Sequence, residues 1–578
     1  MPVALSALYL DASGDISDDF CMRVQYRRVA QAGDLPDVWH YATCNEIRPG
    51  MPTYMTVVGM QAETEYQLRH DYVRVPRPQP HDAVQGMRDG EAVTFTTGAI
   101  PKAVQKRVSP YVMRPQHIEA PNSPVSEHEG YMLQSTLKKG KKPGLPTATD
   151  MNGNIVYYLP YYKGAYQFGS DDTGSGSLTR VSGKGTWFLN GSGKNTLNPG
   201  MSTQILSQVW AEIDLEGVPL WTLSIYQVND MLLEGGHELI AEILGHHDAI
   251  RTPDGRTLLL GAYSSVDFDL EPEVYKLRDF PECNEERKGP TPTERAEEVA
   301  EQHWDFVLEF DADRTLTKSW KAKDHIYQTL AEQNEESYNS IMFDLPALAL
   351  EPMYYSDSAM DRTHCNTLHM DPSDGGVFLS ARHYDAVFKL DWENDGEPLF
   401  NIQELALYDA DYQPYVKDFD NNIGFFSHQH CIETYQVEGR DDVKLVSLFD
   451  NNNTLVIKHG QPAHSNGVLA LVHEARREAV ILMRKPLPTF CAALGTSQVL
   501  ANGNTWYHCG THTGEGLSGK VGSSSTVYEI NTDGDIVYSA GCDAASYRVW
   551  RLHSLYGGTD YTPVAGTESL PIPEAWDV

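Results

Sequence analysis

DRTHCNTLHMDPSDGGVFLSARHYDAVFKL, residues 361–390, reads as two β-strands joined by a tight turn. Leu368 to Asp371 lead into Pro372-Ser373-Asp374-Gly375-Gly376, and Val377-Phe378-Leu379 leave as a β-rich run. His364 and Arg382 stand 18 residues apart. A hairpin that turns near its midpoint returns both to one end, beside Asn366. An imidazole, an amide and a permanent cation would then face one another. Polar strand ends are common on protein surfaces, so the hairpin alone leaves a surface role open.

The same strand–turn–strand unit recurs outward from this stretch. Its turns are Asn152-Gly153, Glu216-Gly217, Asp254-Gly255, Asp374-Gly375, Asn502-Gly503 and Asp533-Gly534. Repeated turns of this type point to a β-propeller. His364 to His430 and His430 to Thr496 are both 66 residues. At one such interval per blade, residues from about 130 to about 560 make about six blades. The expected fold is all-β: a six-bladed propeller over 125–578, with a helical insertion at about 284–340. Within that insertion Thr293–Phe306 and Lys318–Asn334 are read as helices, the first with Thr293 as N-cap.

Residues 1–105 read as strands, at Phe20–Tyr26, Tyr54–Val58, Tyr66–Tyr72 and Ala92–Thr97. GMQAETEYQLRHDY followed by AVTFTTG resembles the end of a fibronectin-type β-sandwich, with Tyr66 as the core tyrosine of a late strand. The Pro-containing, mostly polar stretch from Pro101 to Pro124 is taken as the link, so that 106–124 separates two domains.

Composition narrows the function. The chain has 578 residues and a formal net charge of −35. Such acidity disfavours nucleic acid and anionic membrane as partners, since both need basic surface. No GxGxxG follows a strand and no GxxxxGK[ST] occurs, which disfavours nucleotide folds. No apolar run approaches membrane-spanning length. The eight cysteines form no CxxC pair, and their scatter is that of free thiols inside a cell. Met1–Leu10 lacks a preceding Lys or Arg and makes a poor secretory signal. The expected location is therefore cytoplasmic, or periplasmic if a signal has been removed or is atypical.

Four expected blade starts carry related strings: Gly245-His246-His247-Asp248-Ala249, Thr363-His364-Cys365-Asn366, Ser427-His428-Gln429-His430-Cys431 and Gly495-Thr496-Ser497-Gln498. The innermost strand of each blade lines the central channel, so equivalent positions converge. A single buried histidine is more often a core residue than a catalyst. Three at equivalent positions with Arg382 nearby make a reactive site the better reading.

HHDA, HCNT, SARH, SHQH, LFDN, SQVLANGNT and SYRVWRLHSLYG together resemble the bacterial arylsulfate sulfotransferases that are PAPS-independent. That resemblance spans most of the chain and implies a small N-terminal sandwich before a six-bladed propeller. It implies ping-pong transfer of a sulfuryl group from a phenolic sulfate ester to a phenolic acceptor, with no cofactor. His430 takes the place of the histidine that becomes a transient sulfohistidine. His247, His364, Asn366 and Arg382 would surround the sulfuryl group, with Thr496 and Tyr547 binding substrate. Neutral imidazole suits the nucleophile, and Arg382 offers a planar charged fork for developing negative charge. Where the family often has Asp after Gln-His, this chain has Cys431. The resemblance and the sandwich favour a homodimer.

Three other readings stay open. A propeller oxygenase would use His246, His247, His364 and His430 as metal ligands, yet Arg382 beside them would repel the metal. An aryl sulfate hydrolase would transfer to water. A non-catalytic interaction platform would not need His, Asn and Arg at equivalent channel positions.

Overall fold

The structure is a computed structural model. It describes residues 3–8, 20–29, 39–42, 45–46, 53–74, 92–118, 130–136, 146–159, 177–182, 186–192, 208–217, 219–237, 243–252, 254–266, 301–327, 359–361, 363–371, 373–403, 426–453, 456, 463–476, 478–512 and 524–556. Within these, β-strands dominate and the pairing is antiparallel but for one short strand, Ala359–Asp361.

The hairpin at 361–390 forms as its sequence dictates. Cys365–Met370 pairs antiparallel with Val377–Ala381, and the Asp371 N–H donates to the Gly376 carbonyl at 2.8 Å. Gly375 sits at φ +75°, a conformation glycine reaches without the Cβ penalty. Two further strands, Ala386–Asp391 and Glu397–Gln403, complete a four-stranded sheet. All six Gly turns anticipated from sequence join paired strands, each with its glycine at positive φ.

Five other sheets of four or five strands follow the same plan over residues 114–552. With the first sheet included, the six facing edge strands are Ser546–Leu552, Ser177–Ser182, Ile243–Arg251, Cys365–Met370, His430–Val437 and Gly495–Val499. Each approaches the next in that order, and the last approaches the first. Ser546–Leu552 comes from the far end of the sequence yet pairs with Tyr131–Thr136. Two distant parts of the chain thus share one sheet.

Apolar burial holds the sheets face to face. Trp210, Leu259, Trp304, Phe306, Leu308, Leu368, Leu379 and Phe388 belong to one buried cluster that spans three sheets. Each such side chain, fully buried, contributes about 1.5–3 kcal/mol relative to exposure.

The region read as a helical insertion is partly sheet. Glu301–Phe310 and Leu316–Lys321 are the third and fourth strands of the sheet begun by Ile243–Arg251, so residues 301–306 and 318–321 are not helical. Glu301–Phe310 pairs along its whole length with Thr257–Val266, and that ladder overrides the helical pattern of its acidic start. A five-residue π-turn, Lys323–Tyr327, follows. The rest of the expected insertion, at 284–300 and 328–340, lies outside the described residues.

The stretch taken as a linker has structure of its own. Lys102–Val108 is a short α-helix, and Arg114–Ile118 adds an outer strand to the sheet of Gly495–Val499.

At the N-terminal end, Phe20–Arg28 pairs with Glu65–Arg74 in unbroken register. His40–Tyr41, Asn45–Glu46 and Val93–Thr96 flank them, and Val3–Leu8 pairs separately with Thr53–Val57. Tyr66 is buried, and its hydroxyl accepts the Gln61 N–H at 2.9 Å. This sheet packs on the Tyr131–Thr136 and Ser546–Leu552 pair. Tyr26 and Tyr131 share a 3.0 Å hydroxyl contact, and the Tyr556 hydroxyl accepts the Val58 N–H.

Candidate active site

The site lies where three edge strands begin, and each begins irregularly. The pairing register shifts between Gly245 and Ala249, between Cys365 and Thr367, and between His430 and Glu433. Such bulges re-aim side chains near functional sites. His247, His364, His428 and Cys431 all have positive φ, at 60°, 48°, 53° and 51°. A non-glycine residue in that region costs on the order of 1–3 kcal/mol unless the surroundings enforce it.

Buried acids supply the enforcement. Asp305, on a neighbouring sheet, accepts the Cys365 N–H at 2.7 Å and the Thr363 hydroxyl, and so clamps both sides of His364. Asp385 accepts the His428 N–H at 2.5 Å and faces its Nδ1 at 3.1 Å. Asp450 accepts the N–H groups of Ser427 and Asn452 at 2.9 and 2.7 Å. Asp248, in the His247 bulge, accepts the Leu368 N–H at 2.9 Å.

His247 and His364 meet edge-on, with ring centroids 4.8 Å apart, and His247 meets Tyr547 at 5.5 Å. The Arg382 N–H donates to the His364 carbonyl at 3.2 Å, so the hairpin ends do return to one place. The Arg382 side chain is buried and donates to the Ala492 carbonyl at 3.3 Å. Asn366 donates through Nδ2 to the Gln429 carbonyl at 2.7 Å, immediately before His430.

His430 is almost fully buried. Burial, above all, and then the Arg382 cation hold its pKa well below the ordinary histidine range; His364 and Arg548 act in the same direction. A buried imidazole in a positive field stays neutral, the form that has a lone pair to give. Its Nδ1 lies 2.7 Å from Asn451 Oδ1 and 3.2 Å from the His428 carbonyl, and its Nε2 accepts the Leu494 N–H at 3.3 Å.

The structure therefore groups His247, His364, Asn366, Arg382, His430 and Tyr547. Thr496 is buried on the adjoining edge strand, where its hydroxyl accepts the Val549 N–H at 3.1 Å and lies 3.5 Å from His508 Nδ1. Those contacts join two sheets and are not directed at His430.

Several residues escaped the sequence reading. Arg548 is fully buried and pairs with Asp248 at 3.0 Å while donating to the Asn366 carbonyl at 2.6 Å. Tyr547 and Arg548 are neighbours within SYRVWR, and Asn451 closes LFDN. The strings contained both signals, but only the assembled sheets show what the residues touch.

The cysteine expectation needs correction. Cys491 and Cys509 form a disulfide, with Cα atoms 5.7 Å apart, whereas Cys365, Cys431 and Cys542 are buried thiols outside any disulfide. The bond ties the turn before Gly495–Val499 to the strand Thr505–Cys509.

Among the described residues, Asp371, Asp374 and Glu474 are the acids whose oxygens converge as metal ligands would. The Lys389 ammonium already contacts all three, at 3.1, 2.6 and 2.6 Å. His247, His364 and His430 do not converge in that way. Among those residues no helix is long and apolar enough to cross a membrane.

The sequence profile of the arylsulfotransferase (ASST) family matches residues 287–548. No curated protein matches the chain. Among solved structures, a putative 6-phosphogluconolactonase from Bacteroides fragilis is 10% identical, with 74% of this chain and 100% of that chain covered and a TM-score of 0.32. The periplasmic gluconolactonase PpgL of Pseudomonas aeruginosa is 12% identical, with 73% and 99% covered and a TM-score of 0.32. Likeness at that level carries no argument about this chain. The match over residues 287–548 supports the arylsulfate sulfotransferase family and an aryl-sulfate sulfotransferase enzyme.

Proposed function

We propose that the protein moves a sulfuryl group from a phenolic sulfate ester to a phenolic acceptor by a ping-pong route through a sulfohistidine at His430. The observation that carries this reading is a buried imidazole whose pKa is depressed beside a buried guanidinium. In the first half-reaction His430 attacks sulfur. The S–O bond breaks, its electron pair stays on the phenolic oxygen, and an N–S bond forms. A protonated His247 or His364 gives that oxygen a proton. In the second half-reaction the same histidine takes the acceptor's proton, the acceptor oxygen attacks sulfur, and the N–S pair returns to His430.

Arg382 offsets the charge that gathers on the sulfuryl oxygens. Asn366 anchors the strand that carries His430. Tyr547, beside His247, bounds the aryl pocket, and Thr496 supports that wall through Val549. No cofactor or metal enters the scheme.

The frame for this chemistry is a six-bladed β-propeller behind an N-terminal β-sandwich over about residues 1–105, a division supported by the cyclic order of edge-strand contacts. The Cys491–Cys509 disulfide favours an oxidising compartment such as the periplasm over the cytoplasm.

The test is a donor–acceptor assay with 4-nitrophenyl sulfate, with and without phenol. Phenolate release that rises with phenol and vanishes in His430→Ala supports transfer. Release independent of phenol would make the protein a hydrolase instead. No release in either condition removes the reading.

A further inference from the structure

The nucleophile's other nitrogen has an unusual partner. In many hydrolytic sites a carboxylate backs the catalytic imidazole. Here the group 2.7 Å from His430 Nδ1 is the neutral amide oxygen of Asn451. The amide is not free to rotate. Its Nδ2 donates to the Cys491 carbonyl at 2.6 Å and to the Leu494 carbonyl at 3.2 Å. With both N–H bonds spent on carbonyls, Oδ1 faces His430, and an amide oxygen only accepts. The second neighbour of Nδ1, the His428 carbonyl, is also an acceptor. Nδ1 is therefore the protonated nitrogen, and Nε2 holds the lone pair.

An acid stands one residue away and is turned elsewhere. Asp450 accepts from the Ser427 and Asn452 N–H groups, from Asn466 Nδ2 at 2.7 Å and from Arg484 at 3.1 Å. The chain thus places an amide at His430 while a carboxylate is adjacent in sequence.

We propose that Asn451 is a positioning residue that keeps the Nδ1 proton in place and keeps the sulfated ring reactive. This rests on the sulfohistidine reading. Attack by Nε2 leaves an N-sulfoimidazolium: the ring carries a positive charge, Nδ1 keeps its proton, and the sulfuryl group keeps its negative charge. A carboxylate at Nδ1 would draw that proton towards itself and push electron density into the ring. The imidazole would become a better nucleophile and a poorer leaving group. A neutral amide orients the ring without that push, so sulfuryl transfer remains easy in both directions. The same amide also holds the turn that presents the Leu494 N–H to Nε2, with Leu494 at φ +70°. Once Nε2 is sulfated, its lone pair is gone and that N–H has a sulfuryl oxygen to meet.

The charged and titratable groups acting on His430 are Arg382, just after the strand Val377–Ala381, His364, just before the strand Cys365–Met370, and Arg548, on Ser546–Leu552. All three favour neutral imidazole; the Asn451 hydrogen bond acts the other way, but without adding a charge.

The experiment compares wild type with Asn451→Asp and Asn451→Ala by rapid quench with 4-nitrophenyl sulfate, then steady state with phenol, across pH. In Asn451→Asp the first-turnover burst persists while steady-state turnover falls at least about tenfold, because departure of the imidazole has slowed. Sulfo-enzyme, read by mass spectrometry, accumulates. The acid limb of kcat/KM also moves to higher pH, since a carboxylate favours imidazolium. Asn451→Ala slows both half-reactions by at least about tenfold. Equal slowing of burst and turnover in Asn451→Asp, with the acid limb in place, overturns the proposal alone. A wild type that turns over with no sulfo-enzyme overturns the sulfohistidine reading and the proposal with it. A readout that needs no folded Asn451 variant is the 15N spectrum of histidine-labelled wild type, with His430 assigned by its loss in His430→Ala. Protonated Nδ1 is expected, and a protonated Nε2 overturns the proposal.

Discussion

Asn366 Nδ2 lies 2.7 Å from the carbonyl oxygen of Gln429, so the peptide that enters His430 is held from the neighbouring sheet. Gln429 returns the hold: its Nε2 donates to the carbonyls of Ala381 and Ala386 at 3.3 and 2.8 Å. Arg382, which follows Ala381, is thereby fixed relative to His430 by two crossed amides. Asn366→Ala should lower kcat by about 10–10²-fold, since small misplacement of reacting groups is costly. Gln429→Ala should do the same with His430 and Arg382 both still present. Steady-state kinetics beside thermal melts would separate misplacement from unfolding.

His430 and Arg382 are coupled through charge. Removing the cation in Arg382→Met relieves one cause of the depressed histidine pKa. The acid limb of kcat/KM should then move to higher pH, with kcat itself falling by about 10²-fold or more through the lost oxyanion partner. An unmoved limb in a folded variant would mean that the two groups do not sense each other.

His508 offers a stability test away from His430. It is fully buried, bonds Ser546 Oγ at 2.8 Å, and burial pushes its pKa down to about 3. In the unfolded chain a histidine titrates near about 6.5. Between those values the unfolded state binds the proton and the folded state does not. Stability therefore declines as pH falls from about 6.5 to about 3, by up to about 1.4 kcal/mol per pH unit for this group. Denaturant titrations of His508→Gln should show a shallower acid decline than wild type.

Arg548 and Asp248 form a buried pair at 3.0 Å, with both side chains nearly inaccessible. Asp248→Asn strands a buried cation and Arg548→Met strands a buried anion, each costing about 3–5 kcal/mol. The double variant should recover part of the loss. Melting temperatures of the three proteins check this as a thermodynamic cycle, in which simple additivity would deny the coupling.

The disulfide closes a segment of 18 residues. Its removal in Cys509→Ser should cost about 3 kcal/mol on the loop-entropy view. The same change loosens the turn whose Cys491 carbonyl holds Asn451, so activity should fall before the protein unfolds. Parallel denaturation and activity curves, with and without reductant, are the check.

Much of this was legible in the sequence where information is local. The Gly turns declare themselves by residue type, and His364, His430 and Thr496 recur at 66 residues because each stands at the start of a sheet's edge strand. The strand Glu301–Phe310 was misread because its acidic start suits a helix, and only its partner Thr257–Val266 decides otherwise. The Cys491–Cys509 bond carries no spacing signature among eight cysteines. Arg548 reaches Asp248 across 300 residues, and no local pattern encodes such a contact.

That long reach sets a schedule for biosynthesis. Ser546–Leu552 completes the sheet begun by Tyr131–Thr136, and the same strand carries Tyr547 and Arg548 into the site. The other described sheets close on strands made earlier, but the wall that holds Tyr547 and Arg548 is unfinished until residue 552 is made and threaded back. Non-local closure of this kind is slow compared with hairpin formation. On the proposed function, a nascent chain that has not yet reached residue 552 should be inactive however much of its sheet structure has formed.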